Sequence, residues 1–115
     1  MSTSVTEVFS ELMTLCRACL GMCRHCLEAT SPTGACHDTL PDVILSLEVA
    51  TIMLETNSEL ALDRLQHCAQ TCITHASRWE EYTHPLVRQC TMYCRHLYDY
   101  WNEQLLLLYP PLQQG

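Results

Sequence analysis

The stretch Cys16-Arg17-Ala18-Cys19-Leu20-Gly21-Met22-Cys23-Arg24-His25-Cys26 repeats cysteine at gaps of three, four and three. On an α-helix, residues three and four apart share a face, so this spacing stacks four thiols in one file. The file extends about 15 Å along the helix axis. Arg17 and Arg24 fall off that face, as solvent-facing residues should. Read outward, the same alternation continues N-terminally through Leu12 and Val8 or Phe9 to Val5, and Ser4 with Glu7 fits a capping box. The spacing predicts a first helix over about residues 4–28. A polar turn, Thr30-Ser31-Pro32-Thr33-Gly34, then breaks it.

Three more stretches carry the pattern. The second helix is expected from about Ala35, or from Thr39 if Pro41 marks its first turn, to Glu55, with Cys36, Leu40, Val43, Leu47, Ala50 and Leu54 facing inward. Thr56-Asn57-Ser58 is the next break and supplies N-cap candidates. The third helix, about 59–82, sets Leu62, Leu65, Cys68, Cys72, His75 and Trp79 in register. Pro85 opens the fourth, about 85–108, with Val87, Cys90, Cys94, Leu97, Trp101, Leu105 and Leu108 in line and Pro110-Pro111 as its stop. Long helices joined by short turns pack as antiparallel neighbours. The expected architecture is all-α, an up-down-up-down four-helix bundle forming a single domain over residues 1–115.

Composition narrows the function. Gly is scarce and Leu, Ala, Glu, Gln, Arg and Met are frequent, a mixture that favours helix. A formal charge of −7 without a basic stripe argues against nucleic acid. No apolar run is long enough to span a bilayer. Met1 to Glu7 shows no basic flank, apolar stretch or cleavage site, so a cytoplasmic chain is expected. No phosphate-cradling loop, dinucleotide fingerprint or zinc-protease motif is present. His25-Cys26 and His67-Cys68 make no nucleophile pair, because adjacent helical residues point apart. An enzyme is not expected.

Nine cysteines is the unusual fact. Their number is odd, and bridging thiols three or four apart in one helix would strain disulfide geometry. Cys68/Cys72 and Cys90/Cys94 are i,i+4 pairs on the third and fourth helices. Connectivity gathers Cys26, Cys36, His37, His75, Trp79 and His84 near one end of the bundle. Below them the expected layers are Cys23, Cys72 and Cys90, then Cys19, Cys68 and Cys94, then Cys16. Beyond these lies hydrocarbon: Leu12, Leu54, Leu62, Leu97 and Trp101. The result would be a one-ended thiol channel. Converging soft thiolates suit a soft closed-shell ion, above all Cu(I). Structural zinc sites take ligands from knuckles and turns, and iron–sulfur clusters from looped runs. The candidate ligands are Cys16, Cys19, Cys23, Cys26, Cys68, Cys72, Cys90 and Cys94, with Cys36 and His75 near the mouth. Zinc binding, thiol redox sensing and a metal-free partner-binding bundle are the alternatives.

The Cys16–Cys26 motif resembles the bacterial copper storage proteins, in particular their cytosolic branch. The similarity continues in Gly34-Ala35-Cys36, Cys68-Ala69-Gln70-Thr71-Cys72, the polar stretch around His84, and Cys90-Thr91-Met92-Tyr93-Cys94. It implies a four-helix bundle, usually a tetramer, whose core thiols hold Cu(I). Leu12, Val43, Leu47, Leu65, Val87 and Leu97 stand where that family would place thiols, and His75, Trp79 and Trp101 are further replacements, so a lower capacity is expected. The histidine-rich segment that the family places near its copper entrance is reduced here to His84. His25, His67 and His96 fall off the inward face, and Met22 and Met92 read as gap fillers. Tyr93, Tyr98 and Tyr100, with Leu106, lie on the outer side of the fourth helix, where a second subunit could pack.

Overall fold

Ser4 starts the first helix because its hydroxyl accepts the Glu7 amide at 3.1 Å, satisfying a donor that every helix start leaves open. In the computed structural model, which describes residues 4–30 and 34–109, α1 then runs Val5–Ala29. Ser31, Pro32 and Thr33 of the expected first turn lie outside the described residues, as do Pro110 and Pro111. The inward face of α1 begins at Val8 and continues through Leu12, Cys16, Cys19, Leu20, Cys23 and Cys26. Val5, expected in that line, is 44% exposed.

Both starts weighed for the second helix exist as separate pieces. Ala35–Asp38 forms a short 3-10 turn that carries Cys36, and α2 follows over Leu40–Glu55 with Pro41 in its first turn. Thr39 links them, accepting the Trp79 indole N–H at 2.8 Å and so tying the start of α2 to the end of α3. At the other end of α2 the Ser58 amide reaches Met53 O and the Asn57 amide reaches Leu54 O. Asn57 has φ of 52°. This is a Schellman closure, with Asn in the left-handed position it tolerates better than most side chains.

α3 covers Ala61–Trp79 and α4 covers Pro85–Glu103. α3 starts two residues later than Glu59 because Ser58 accepts the Leu60 amide at 3.1 Å, holding those residues in a turn. His84 takes the capping role at α4, its Nδ1 accepting the Leu86 amide at 3.1 Å. The continuous helix expected to Leu108 ends instead at Glu103. The Gln104 amide bonds back to Tyr100 and Trp101 carbonyls, and a separate four-residue turn, α5, holds Leu105–Leu108. Leu106 there is 78% exposed and no residue of α5 is buried, so little packing energy favours extending α4.

Each long helix packs on two neighbours: α1 on α2 and α4, and α3 on the same pair. The bundle is therefore square in section, within an envelope of 56 × 27 × 25 Å. Cross-links report the antiparallel sense. Arg17 pairs with Glu55 and Arg24 with Glu48, so α2 residue numbers fall as α1 numbers rise. Cys19 meets Cys94 and Met22 meets Cys90 in the same opposing order. The up-down-up-down four-helix bundle is the observed fold.

One continuous core fills it, divided by chemistry along its length. Toward the α2–α3 turn, Val8, Leu12, Leu54, Ala61, Leu97 and Trp101 form a hydrocarbon end. Leu62, expected in that layer, is half-buried at its edge, and Ala61 and Leu65 are the buried α3 residues there. The polar N–H of Trp101 is satisfied by Gln66 Oε1 at 2.7 Å, as an indole needs when its ring is buried.

Candidate metal centre

Sulfur occupies the other part of the core. All nine cysteines are free and buried; Cys36 is 5% exposed and the rest are 0%. Cys16, Cys19, Cys23 and Cys26 come from α1, Cys68 and Cys72 from α3, and Cys90 and Cys94 from α4. α2 contributes no thiol; its fully interior positions include Leu40, Val43, Leu47 and Ala50.

Three sulfurs form the tightest group. The Sγ atoms of Cys19, Cys72 and Cys94 lie within 4.8 Å of one another, and Cys19 to Cys94 is 3.5 Å. Three helices thus supply one sulfur each to a common point sealed from solvent. A soft cation placed among them would meet three donors with little movement of the backbone.

The layering differs from the expected one along α3. Cys72 lies with Cys19 and Cys94, rather than with Cys23 and Cys90. Cys68 lies with Cys16 instead of with Cys19 and Cys94. The difference is one helical turn of axial offset in α3, about 5 Å. Cys23 does lie with Cys90, and Cys26 lies with Cys90 toward the end of the bundle, where Cys36 adds to the charge repulsion on it. The thiols also do not line an open channel, since eight of the nine are sealed from solvent.

Proton affinities follow from this crowding. Hydrogen bonds from Cys23, Cys72 and Cys94 hold the Cys19 thiol well below its usual range. Bonds from Cys16 and Cys72, with a further one from Ser46, do the same for Cys68. Their partners pay the opposite way: Cys16 is raised by Cys68 and by burial, and Cys72 and Cys94 are raised chiefly by Cys19. Burial drives Cys26 up, and Cys23 followed by burial drives Cys90 up. A thiolate at Cys19 or Cys68 is thus solvated by neighbouring S–H groups in place of water. Further ionisation waits for a cation to offset the accumulating charge.

His75 stands apart from the sulfurs. The interior position on that turn of α3 belongs to Ala76, at 0% exposure, while His75 is half-buried beside Trp79, ring centroids 6.1 Å apart. Its Nδ1 is buried without a hydrogen-bond partner. Burial, then the Arg78 charge, lowers its proton affinity, keeping the imidazole in the neutral form that binds metals. It lines a groove between α2 and α3, outside the Cys19–Cys72–Cys94 group. His37 bonds through Nε2 to Thr30 O at 3.2 Å. His84, Cys36, Tyr82 and Thr30 line a recess of about 350 Å³ at the end of the bundle. His25, His67 and His96 are exposed.

One side chain beside the sulfurs is not indicated by the cysteine spacing. Ser46 on α2 is buried, and its hydroxyl donates to Val43 O at 2.9 Å and lies 3.8 Å from Cys68 Sγ. The signal was present as a small polar residue between the inward-facing Val43 and Leu47 of α2.

The residues that build this interior are also the ones a family comparison reads. Residues 4–104 match the family model described as copper storage protein. The chain belongs to the copper storage protein family. The match runs from the Ser4 cap to the Gln104 terminator of α4, so all four helices of the bundle lie within it. Neither the curated proteins nor the solved structures hold a significant match. For a copper storage family member the buried sulfur cluster is the feature able to hold metal. No helix is long and apolar enough to cross a membrane among the described residues.

Proposed function

We propose that this chain sequesters Cu(I) within the bundle, through thiolates of Cys16, Cys19, Cys23, Cys26, Cys68, Cys72, Cys90 and Cys94, with Cys36 at the end recess. The observation that carries the reading is the Cys19–Cys72–Cys94 group, three sulfurs from three helices within 4.8 Å. Soft thiolates select Cu(I), and a three-sulfur pocket gives it trigonal coordination, whereas zinc favours four ligands in a tetrahedron. The activity is capture without turnover. As each sulfur takes an ion its proton passes to solvent, and copper stays Cu(I) throughout.

Nine thiols at two per ion would hold about four ions in the soft-ligand interior, well short of a core lined with cysteine on all four helices. Free thiols need a reducing compartment, so the cytoplasm is the proposed location. A homo-oligomer, as the tetramers of the family suggest, would cover apolar side chains that the single bundle leaves exposed: Leu45 and Ile52 on α2, Met92 and Tyr93 on α4.

Anaerobic Cu(I) titration against a competing chelator, followed by sulfur-to-copper charge-transfer absorbance, tests the reading. Storage predicts about two or more tight equivalents per chain, bound to sulfur. Fewer would remove storage. Tight zinc in protein purified without added copper, with no copper uptake, would favour the zinc alternative.

A further inference from the structure

α2 and α3 face one another across a groove of about 370 Å³ that opens on the side of the bundle. From α2 it receives Asp42 and Ser46, one helical turn apart; from α3 it receives His67, Thr71 and His75, also spaced by single turns. Asp42 and His75 share one end, as the antiparallel packing requires. Two features make this more than a solvated crease. The Nδ1 atom of His75 is buried and has no hydrogen-bond partner. Ser46, which lines the groove, is also the residue whose hydroxyl lies 3.8 Å from Cys68 Sγ.

Ser46 is therefore a single small side chain between the groove and a thiol of the core. Cys68 is sealed at 0% exposure and Ser46 at 8%. Its one hydroxyl proton is shared between Val43 O at 2.9 Å and Cys68 Sγ at 3.8 Å, and the oxygen keeps lone pairs for a passing cation. Neighbouring core positions on α2 are Val43, Leu47 and Ala50, which offer no donor atom. We propose that this groove is a lateral loading port: a Cu(I) ion is taken first at His75, steps past the Ser46 hydroxyl, and is delivered to Cys68 and then Cys16. The port rests on the copper-sequestering reading above and adds to it a route through the side of the bundle, separate from the recess at its end. Transfer involves ligand exchange alone: nitrogen and hydroxyl oxygen leave copper as sulfur binds, and each thiol proton passes to water.

Two substitutions test it. Ser46→Leu fills the floor of the groove, and His75→Ala removes the first donor. Stopped-flow mixing of the metal-free chain with a weak Cu(I) complex should show initial uptake slowed by about tenfold in each, the scale on which groups around a metal's ligands act. The final copper content should equal that of the wild type, which also certifies that the variants fold. In the absence of metal, methyl methanethiosulfonate labelling read by peptide mass spectrometry should modify Cys68 ahead of Cys16, Cys72 and Cys94. Ser46→Leu should delay Cys68 alone. Wild-type rates in both variants, with Cys68 labelled no sooner than the other sealed thiols, would overturn the port while leaving storage intact. A wild-type chain with no tight copper would instead overturn the storage reading and the port's cargo, with the labelling order still deciding whether the groove admits small reagents.

Discussion

Cys19 is the residue on which the proposed metal centre turns. Its sulfur is 3.5 Å from that of Cys94, and Cys23, Cys72 and Cys94 together hold its proton affinity down. Cys19→Ser should lose at least one tight copper equivalent and weaken those sharing its sulfur, while the bundle still folds; copper content after gel filtration checks both. Proton linkage gives a second expectation. Cys16, Cys26, Cys72, Cys90 and Cys94 are held above the usual thiol value near 9, whereas Cys19 and Cys68 are held below it. Below about pH 9 the unfolded chain still holds protons that the two lowered thiols of the folded chain have shed, so stability rises with pH; above about pH 9 the unfolded chain sheds protons that the five raised thiols retain, so stability then falls. Melting of the metal-free, reduced protein should therefore peak near about pH 9 and fall above it, and a profile that stays flat from there upward would contradict the shifts. Which cysteines face inward was legible in the sequence because helical phase follows from spacing alone. Which meet was not. The expected layers placed Cys72 beside Cys23 and Cys90, and a one-turn offset of α3 sets it beside Cys19 and Cys94.

That offset belongs to the elements. Axial register between helices is set by turn geometry, and the α2–α3 turn closes through the left-handed Asn57 and the Ser58 contact to Leu60, details that periodicity does not encode. The α4 end is similar: four leucines read as a helical continuation, yet α5 buries none of them. His75 shows the limit of phase itself, since residues 75 and 76 straddle the edge of the inward face and Ala76 takes the interior. Two element-scale expectations follow. Ser4→Ala should cost about 1 kcal/mol by removing the α1 cap, measurable by urea denaturation. Trp101→Ala should cost about 3–5 kcal/mol, as large-to-small changes in cores do. Because Trp101 sits in the hydrocarbon layer with Leu97 and Val8, variants that remain folded should bind the same amount of copper, and equal loading would confirm that the two ends of the core are separable.

At the scale of the molecule, the core is two materials joined along one axis. The hydrocarbon end supplies folding energy without metal, and the sulfur end holds polarizable groups that exclude water without requiring their own partners. On the proposed reading, metal binding adds to a fold that the hydrocarbon end already supports. At free copper a thousandfold above the dissociation constant, a bound ion stabilises the native state by about 4 kcal/mol, so copper-loaded protein should melt well above the metal-free form and return to the lower value when a chelator strips it. A crystal of the Cu(I)-loaded chain, measured for anomalous scattering on either side of the copper edge, is the most direct test. The account predicts a copper peak inside the bundle, bonded to the sulfurs of Cys19, Cys72 and Cys94, with further peaks along the file toward Cys16 and Cys26. Copper confined to surface histidines, or an interior free of copper after full loading, would contradict it.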